Sequence, residues 1–371
     1  KYNDNYFAYN FMAESGIKIL AISQRENINK GKDMELNPEF EREGNIVIHR
    51  IFDSLIQLNS LIYQTIKFSK IKKIVKDFKP DLIFCEELSN LNLAIKIKNR
   101  FNIPLVLRVE FAYNKEYPYR VLGIFLKKFK FKFTGDFFPI LIGNLIWNWA
   151  VKNCDSIISC HFEDSKRDFK DYKLKNFYYV PWPTFLPVIE TEMKKNRNRI
   201  VFAGAFDKHK NLKEFKITIP LLLKNTPINQ VYIVGTGEDL KIIEDLKAKY
   251  PDNIYHINSL NRNDCLNLIS KSYFSYSPAI RGGWGFIGDS FALKTPVIFS
   301  HNHYGFKNNI DSIFIIPEEI DKTVNKIYND KFLYEKISSS GYERFIKNHT
   351  SEAVGQRFIK ICKEAIQNTN E

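Results

Sequence analysis

Apolar and polar residues change their spacing several times along the chain, and each change predicts an element. "NYFAYNFMAESG" carries apolar residues at helical spacing up to Gly16, a short amphipathic helix stopped at the glycine. "IKILAIS" and "NIVIHRIF" are near-continuous apolar runs and predict buried strands. "SLIQLNSLIYQTIKFSKIKKIVKDF" returns to helical spacing with lysines on the opposite face, and Pro80 ends it. "DLIFCEE" reads as a strand, "LNLAIKIKNRF" as a helix and "IPLVLRVEF" as a strand, with "DSIISC" and "NFYYVPW" as two strands further on. Apolar strands interleaved with helices predict a parallel sheet covered on both faces.

The rhythm breaks at "PWPTFLPVIETEMKKNRNR", where three prolines precede a charged stretch without periodicity. Such a stretch suits an interdomain linker, placed at 185–198. Alternation then restarts with strands in "RIVFAGAF", "QVYIVGTG", "NIYHINSL", "YFSYSP", "TPVIFS" and "SIFIIP", separated by helical patterns. The length of 371 residues exceeds one ordinary core. The expectation is two α/β domains, 1–184 and 199–345, with strand C-termini facing a cleft, and a C-terminal helix at 346–371.

One segment departs from this pattern. Residues 117–153 are dense in aromatics and lysine, and "LKKFKFKF" alternates Phe129, Phe131 and Phe133 with Lys128, Lys130 and Lys132. Such a surface suits anionic headgroups at a membrane interface, and its density of both residue types is hard to bury. The alternative is core aromatics under a solvated lysine face. The longest uncharged run, Phe137 to Val151, contains Pro139 and Gly143 and is too short for a span, which needs about 20 residues.

Composition adds three bounds. Hydrophobic residues at 44% beside 26% charged describe a globular chain. The net charge of +13 points to an anionic partner or to a general richness in lysine. No recognition motif supports nucleic acid. The five cysteines form no CxxC pair, which fits reduced thiols and a cytoplasmic setting. His301 and His303 are a close pair without neighbouring Cys or carboxylate partners, so they do not read as a metal site.

The candidate chemistry centres on "AIRGGWGFIGDSFALKTPVI", Ala279 to Ile298, with four glycines before a short apolar strand. Glycine lets backbone approach a ligand, and a helix N-terminus offers N–H groups and a positive dipole to an anion. Here "GGWGFIG" would enter a helix "DSFAL". Gly283, Gly285 and Gly288 would permit the approach, and Phe286, Ile287 and Gly288 would supply N–H donors. A plain strand-to-helix turn is the competing reading.

In order, "RIVFAGAFDKHKNL", "VYIVGTGED", "NIYHINSLNRNDCLNLISKSYFSYSPA" and "GGWGFIGDSFALKTPVI" resemble the donor-binding domain of the retaining glycosyltransferases of family 4. The resemblance runs from Arg199 to about Ile366. It is weaker in the first half, through "DLIFCEE", "IPLVLRVE" and "CDSIISC". It implies a GT-B fold, with two Rossmann-like doubly wound domains and the C-terminal helix returning to the first. It also implies metal-independent transfer of a hexose from a nucleotide diphosphate sugar, with no further cofactor. Lys210 matches the lysine that faces the diphosphate, and Gly204 the glycine ending the preceding strand. Gly235 and Gly237 match the loop that holds the nucleotide. Ala205 stands where the family usually carries an arginine, and Lys208 or Arg281 could replace that charge. Of the family's two glutamates, the second, which holds the ribose, falls on Asp289. The first falls on Arg281 or Gly282, so no glutamate stands there.

In the first domain the family often has a histidine at the end of the strand matching "PLVLRVE". Here that position is Glu110 or Arg108, with Glu86 and Glu87 ending the neighbouring strand. Carboxylates there could orient sugar hydroxyls or take the acceptor proton; N-caps and surface charges are the plainer reading of Glu86 and Glu87. The expected acceptor is a lipid-linked sugar or surface glycan, with the protein peripheral on the inner face of the cell membrane. The missing arginine and glutamate leave open a glycosyltransferase-like subunit that binds without catalysing. In this fold a strand and a Gly-containing loop are expected before the first helix, so the first strand of the sheet is expected to precede Lys1.

Overall fold

The computed structural model describes residues 4–25, 38–53, 60–87, 90–109, 149, 152–160, 176–184, 194–280, 282–302 and 305–370. The chain divides into two units, Lys1–Pro181 with Val354–Glu371, and Trp182–Ala353.

In the first unit, α1 (Asp4–Glu14) ends before Gly16, whose φ of 92° turns the chain into β1 (Ile19–Arg25). β2 (Phe40–Glu43) and β3 (Ile46–Asp53) form an antiparallel pair, and β3 runs parallel to β1. The two-residue Gly44–Asn45 connection was a legible hairpin signal, yet the sequence reading passes over β2. α2 (Ser60–Phe78) buries Ile71 and Val75 against Leu93 and Ile97 of α3 (Leu91–Phe101). β4 (Ile83–Glu86), β5 (Leu105–Val109), β6 (Ser156–Ser159) and β7 (Phe177–Tyr179) make a separate parallel sheet in sequence order. Among the described residues, β1 and β3 do not join it. Nearly all of 117–153, the aromatic and basic segment, lies outside the described residues.

The second unit holds one parallel sheet. Its strands are β8 (Asn196–Ala203), β9 (Gln230–Val234), β10 (Ile254–Ile257), β11 (Ser272–Ser277), β12 (Val297–Phe299) and β13 (Ile313–Phe314). Its helices are α4 (Phe215–Asn225), α5 (Leu240–Lys249), α6 (Arg262–Ser270), α7 (Trp284–Ala292), α8 (Ile320–Asn329) and α9 (Lys331–Asn348). The spatial order β10-β9-β8-β11-β12-β13 is the doubly wound one. β8 begins inside the stretch read as linker, and Trp182 to Thr184 already belong to this unit.

The last helix, α10 (Ser351–Asn370), packs in the first unit. Its Val354, Phe358, Ile361 and Ala365 share a core with Ala8 and Met12 of α1, Val106 of β5 and Ile158 of β6. The approach is close, since a Cβ on Gly355 would lie 2.6 Å from the Phe11 ring.

Candidate functional site

A doubly wound sheet reverses its winding direction once, here between β8 and β11, and ligands of such sheets bind outside the strand ends at that point. The chain puts Lys210 on one loop and Gly282–Gly283 on the other. After β8, Gly204 donates its N–H to the Val234 carbonyl at 3.0 Å and Phe206 donates to Thr236 at 3.0 Å. Asp207 then caps a turn, Lys208–Lys210, by accepting from the His209 N–H at 2.8 Å. The Ile280 N–H from the other loop donates to the His209 carbonyl at 2.8 Å, so the two loops are stitched together.

Lys210 reaches over the glycines. A Cβ on Gly282 would lie 3.3 Å from its Nζ, and one on Gly283 3.8 Å. Both glycines have left-handed φ, 68° and 87°, which a side chain would strain. Among the described residues Lys210 has no ion pair. Burial lowers the pKa of its ammonium, and Asp207 works against that. Gly204 lies beside the lysine, and Gly235 packs so tightly on it that a Cβ there would fall 1.9 Å from the Gly204 carbonyl oxygen. Gly237 bridges to Phe206. The structure therefore brings Gly204, Lys210, Gly235, Gly237 and Gly283 together at the strand ends of one sheet.

The helix boundary differs from the sequence expectation. α7 starts at Trp284, so Gly285, Phe286, Ile287 and Gly288 are helical rather than loop. The Ile287 N–H is spent on the Gly283 carbonyl at 3.1 Å, and Gly288 sits one residue further into the ladder. Of the three expected donors, Phe286 alone is in the first turn, where N–H groups find no intrahelical acceptor; Gly285 is there as well. Gly285 is exposed with open space where a Cβ would be, as an approach to backbone requires. Gly288 is instead a packing glycine, since a Cβ would fall 2.3 Å from Thr184 Oγ1.

Asp289 is 3% exposed in the second turn of α7. Both its oxygens accept from the Arg262 guanidinium, at 2.7 Å each, in a two-pronged pair. A ribose hydroxyl would therefore meet an Asp289–Arg262 unit rather than a lone carboxylate. Arg281 lies outside the described residues, as does Glu110.

The first unit gathers its own group where β4 and β5 end. Arg108 is fully buried and donates to Glu86 Oε1 at 3.1 Å. Glu86 also accepts from the Tyr9 hydroxyl, and the Arg108 guanidinium lies 5.8 Å from the Phe358 ring. The Glu87 N–H donates to the Arg108 carbonyl at 2.9 Å, and Glu87 has a φ of 67°. Glu86 and Arg108 are thus tied to α1 and α10 as well as to each other.

With this geometry in place, residues 189–344 match the glycosyl transferases group 1 family. The match covers most of the second unit. A comparison with curated protein sequences finds no match. Solved structures are similar in fold across both units. Sucrose-phosphate synthase from Thermosynechococcus elongatus aligns with a TM-score of 0.67 at 13% identity, covering 97% of this chain and 92% of its own. A glycosyltransferase from Rickettsia africae gives 0.69 at 13%, covering 98% and 95%. Anabaena HepE, solved with UDP and glucose, gives 0.56 at 11%, covering 85% of each chain. The fold is GT-B.

Three features of the second unit escape a reading of sequence. Trp284 opens α7 and is clamped: its Nε1–H donates to Thr184 Oγ1 at 2.8 Å, and its ring stacks on His349 at 4.0 Å. His349 donates from Nδ1 to the Trp182 carbonyl at 3.0 Å, since a carbonyl only accepts, and its own carbonyl accepts from the Thr184 N–H at 2.8 Å. Lone prolines and a tryptophan gave no hint of this clamp. Arg262 is the second feature, drawn to Asp289 from the start of α6. Glu214, buried below the Lys210 turn, is the third. His301 faces Glu214 Oε2 at 3.9 Å, and His303 lies outside the described residues.

Proposed function

We propose that this chain is a retaining, metal-independent hexosyltransferase that takes its sugar from a nucleoside diphosphate donor. The observation that carries the reading is the Lys210 ammonium beside Gly282–Gly283 at the switch point, with the first turn of α7 next to it. A departing nucleoside diphosphate develops negative charge on its oxygens. A lysine without an ion pair among the described residues and a helix N-terminus are fixed in advance where that charge would appear, and such preorganised stabilisation lowers the barrier. Gly235 and Gly237 would hold the nucleotide, and the Asp289–Arg262 pair would face the ribose. The complex of Anabaena HepE with UDP and glucose supports this class of donor. Glu110, Glu86, Glu87 and Arg108 would serve the acceptor side. A lipid-linked or surface glycan is the acceptor that a basic and aromatic segment at 117–153 favours, through attachment to an anionic membrane face.

A second reading, a subunit that binds donor without transferring it, is favoured by one observation. Ala205 brings no charge to the loop, and Asp289 is already paired with Arg262. Thermal shift with a panel of UDP-, GDP- and ADP-sugars separates the readings when followed by product analysis. Binding to the native state raises the Tm. Stabilisation by one donor together with release of free nucleoside diphosphate supports transfer, whereas stabilisation without turnover supports the binding subunit. No stabilisation by any nucleotide sugar contradicts both.

A further inference from the structure

Glu214 is 7% exposed at the foot of α4, and the donor reading leaves it without a task. A buried carboxylate is costly unless hydrogen bonds satisfy it. Here they do. Oε2 accepts from the Asn211 side-chain amide at 2.9 Å, and Oε1 accepts from the Tyr276 hydroxyl. The partners come from two different loops' roots. Asn211 directly follows Lys210, and Tyr276 lies in β11, whose chain continues into Gly282–Gly283.

Asn211 also has a left-handed backbone, φ 53°, which ends the Lys208–Lys210 turn and starts the next one. Asn tolerates that region, and a side-chain tether selects it over the alternatives. The direction in which Lys210 leaves its turn is therefore set by a residue that Glu214 holds. The same carboxylate is anchored to the strand that delivers the glycines. Burial, and next the Glu214 carboxylate, push the Tyr276 hydroxyl well above its usual pKa, so it stays a donor.

We propose that Glu214 is a positioning residue. By holding Asn211 and Tyr276 together it locks the Lys210 turn to the glycine loop, so that the ammonium and the first turn of α7 converge on one diphosphate. A lysine on a loose turn would have to be ordered on binding, at a cost in affinity. The proposal rests on the donor reading and deepens it.

The test is a double-mutant cycle read by calorimetry with UDP and with inorganic diphosphate. Glu214→Met combined with Tyr276→Phe replaces a buried hydrogen-bonded pair by apolar groups of similar shape, which is close to neutral for stability. The variant should keep a Tm near that of the wild type and lose affinity for both ligands by about tenfold. In a Lys210→Ala background the same pair of changes should cause no further loss, because the lysine it positions is gone. Asn211→Gly, which keeps the left-handed turn and cuts the tether from the other side, should give the same loss if the first variant folds poorly. Affinity within twofold of wild type in a folded variant overturns the proposal, as does an equal loss with and without Lys210. A Lys210→Ala protein that binds diphosphate as well as wild type overturns the donor reading and this proposal with it. If Lys210→Ala weakens binding while the Glu214 and Asn211 variants do not, only this proposal fails.

Discussion

Lys195 and Lys210 stand at opposite ends of β8, and their surroundings give them different work. Lys195 Nζ donates to the carbonyls of Ser270 at 3.1 Å and Leu293 at 3.3 Å and to Thr295 Oγ1 at 2.7 Å, pinning the ends of α6 and α7. Burial pushes its ammonium from 10.5 down to about 7 against the pull of these acceptors. Between those values the unfolded chain binds the proton and the folded one does not. Stability relative to Lys195→Met should therefore rise with pH from about 7 to 10 and be flat below 7. Urea unfolding at several pH values measures this, and a difference that falls with pH contradicts it. Asp289 gives a second prediction. Arg262→Ala removes both guanidinium bonds from a buried carboxylate and should cost about 1–3 kcal/mol, a loss that Asp289→Asn in the same chain largely restores. Denaturant midpoints of the two single variants and the double variant decide. Lys210 was legible in sequence because it follows a glycine-ended strand within a few residues. Arg262 was not, because only the packing of α6 against α7 brings it to a residue 27 positions away.

At the scale of elements, α7 shows where local rules lose to packing. Glycines at 285 and 288 lower helix propensity, which is why the pattern reads as loop through Gly288. Trp284, Ile287 and Phe291 are buried in one cluster with Val297 and Phe345, and that burial starts the helix at Trp284. Gly288 is then required by space. Gly288→Ala would push a methyl into Thr184 Oγ1, which cannot swing away without giving up Trp284 Nε1–H. Overpacking of this kind costs about 1–3 kcal/mol. The Tm should fall, and Gly285→Ala, with open space at its Cβ, should leave it close to wild type. Equal effects at the two positions would contradict the clamp. The strands and helices of the second unit were legible from their periodicity. The β2–β3 hairpin is harder to read, because "FERE" before Gly44 carries a single apolar residue and shows no strand pattern of its own.

The whole molecule depends on an ordering that local patterns do not contain. Strand order in the second unit, the separate sheet of β1, β3 and β2, and the residence of α10 in the first unit all follow from long-range pairing. The switch point between β8 and β11 emerges only from that order, and it brings Lys210 beside the glycine loop. Among the described residues no helix is long and apolar enough to cross a membrane. Membrane attachment through 117–153 predicts that wild type sediments with anionic vesicles at low salt. Changing Lys128, Lys130 and Lys132 to Gln should release it, each lysine contributing about 1 kcal/mol. Failure of wild type to sediment contradicts attachment. The central claim is that unit 182–353 holds a nucleoside diphosphate on Lys210 and the α7 N-terminus. Titration calorimetry of UDP, GDP and ADP into the wild type and Lys210→Ala, with a metal chelator present, tests it most directly. The account predicts that wild type binds at least one of the three, and that Lys210→Ala binds it about thirtyfold more weakly or worse, the roughly 2 kcal/mol lost when one partner of a buried charge pair is truncated. Equal affinity in the two proteins, or no binding of any of the three by wild type, would contradict it.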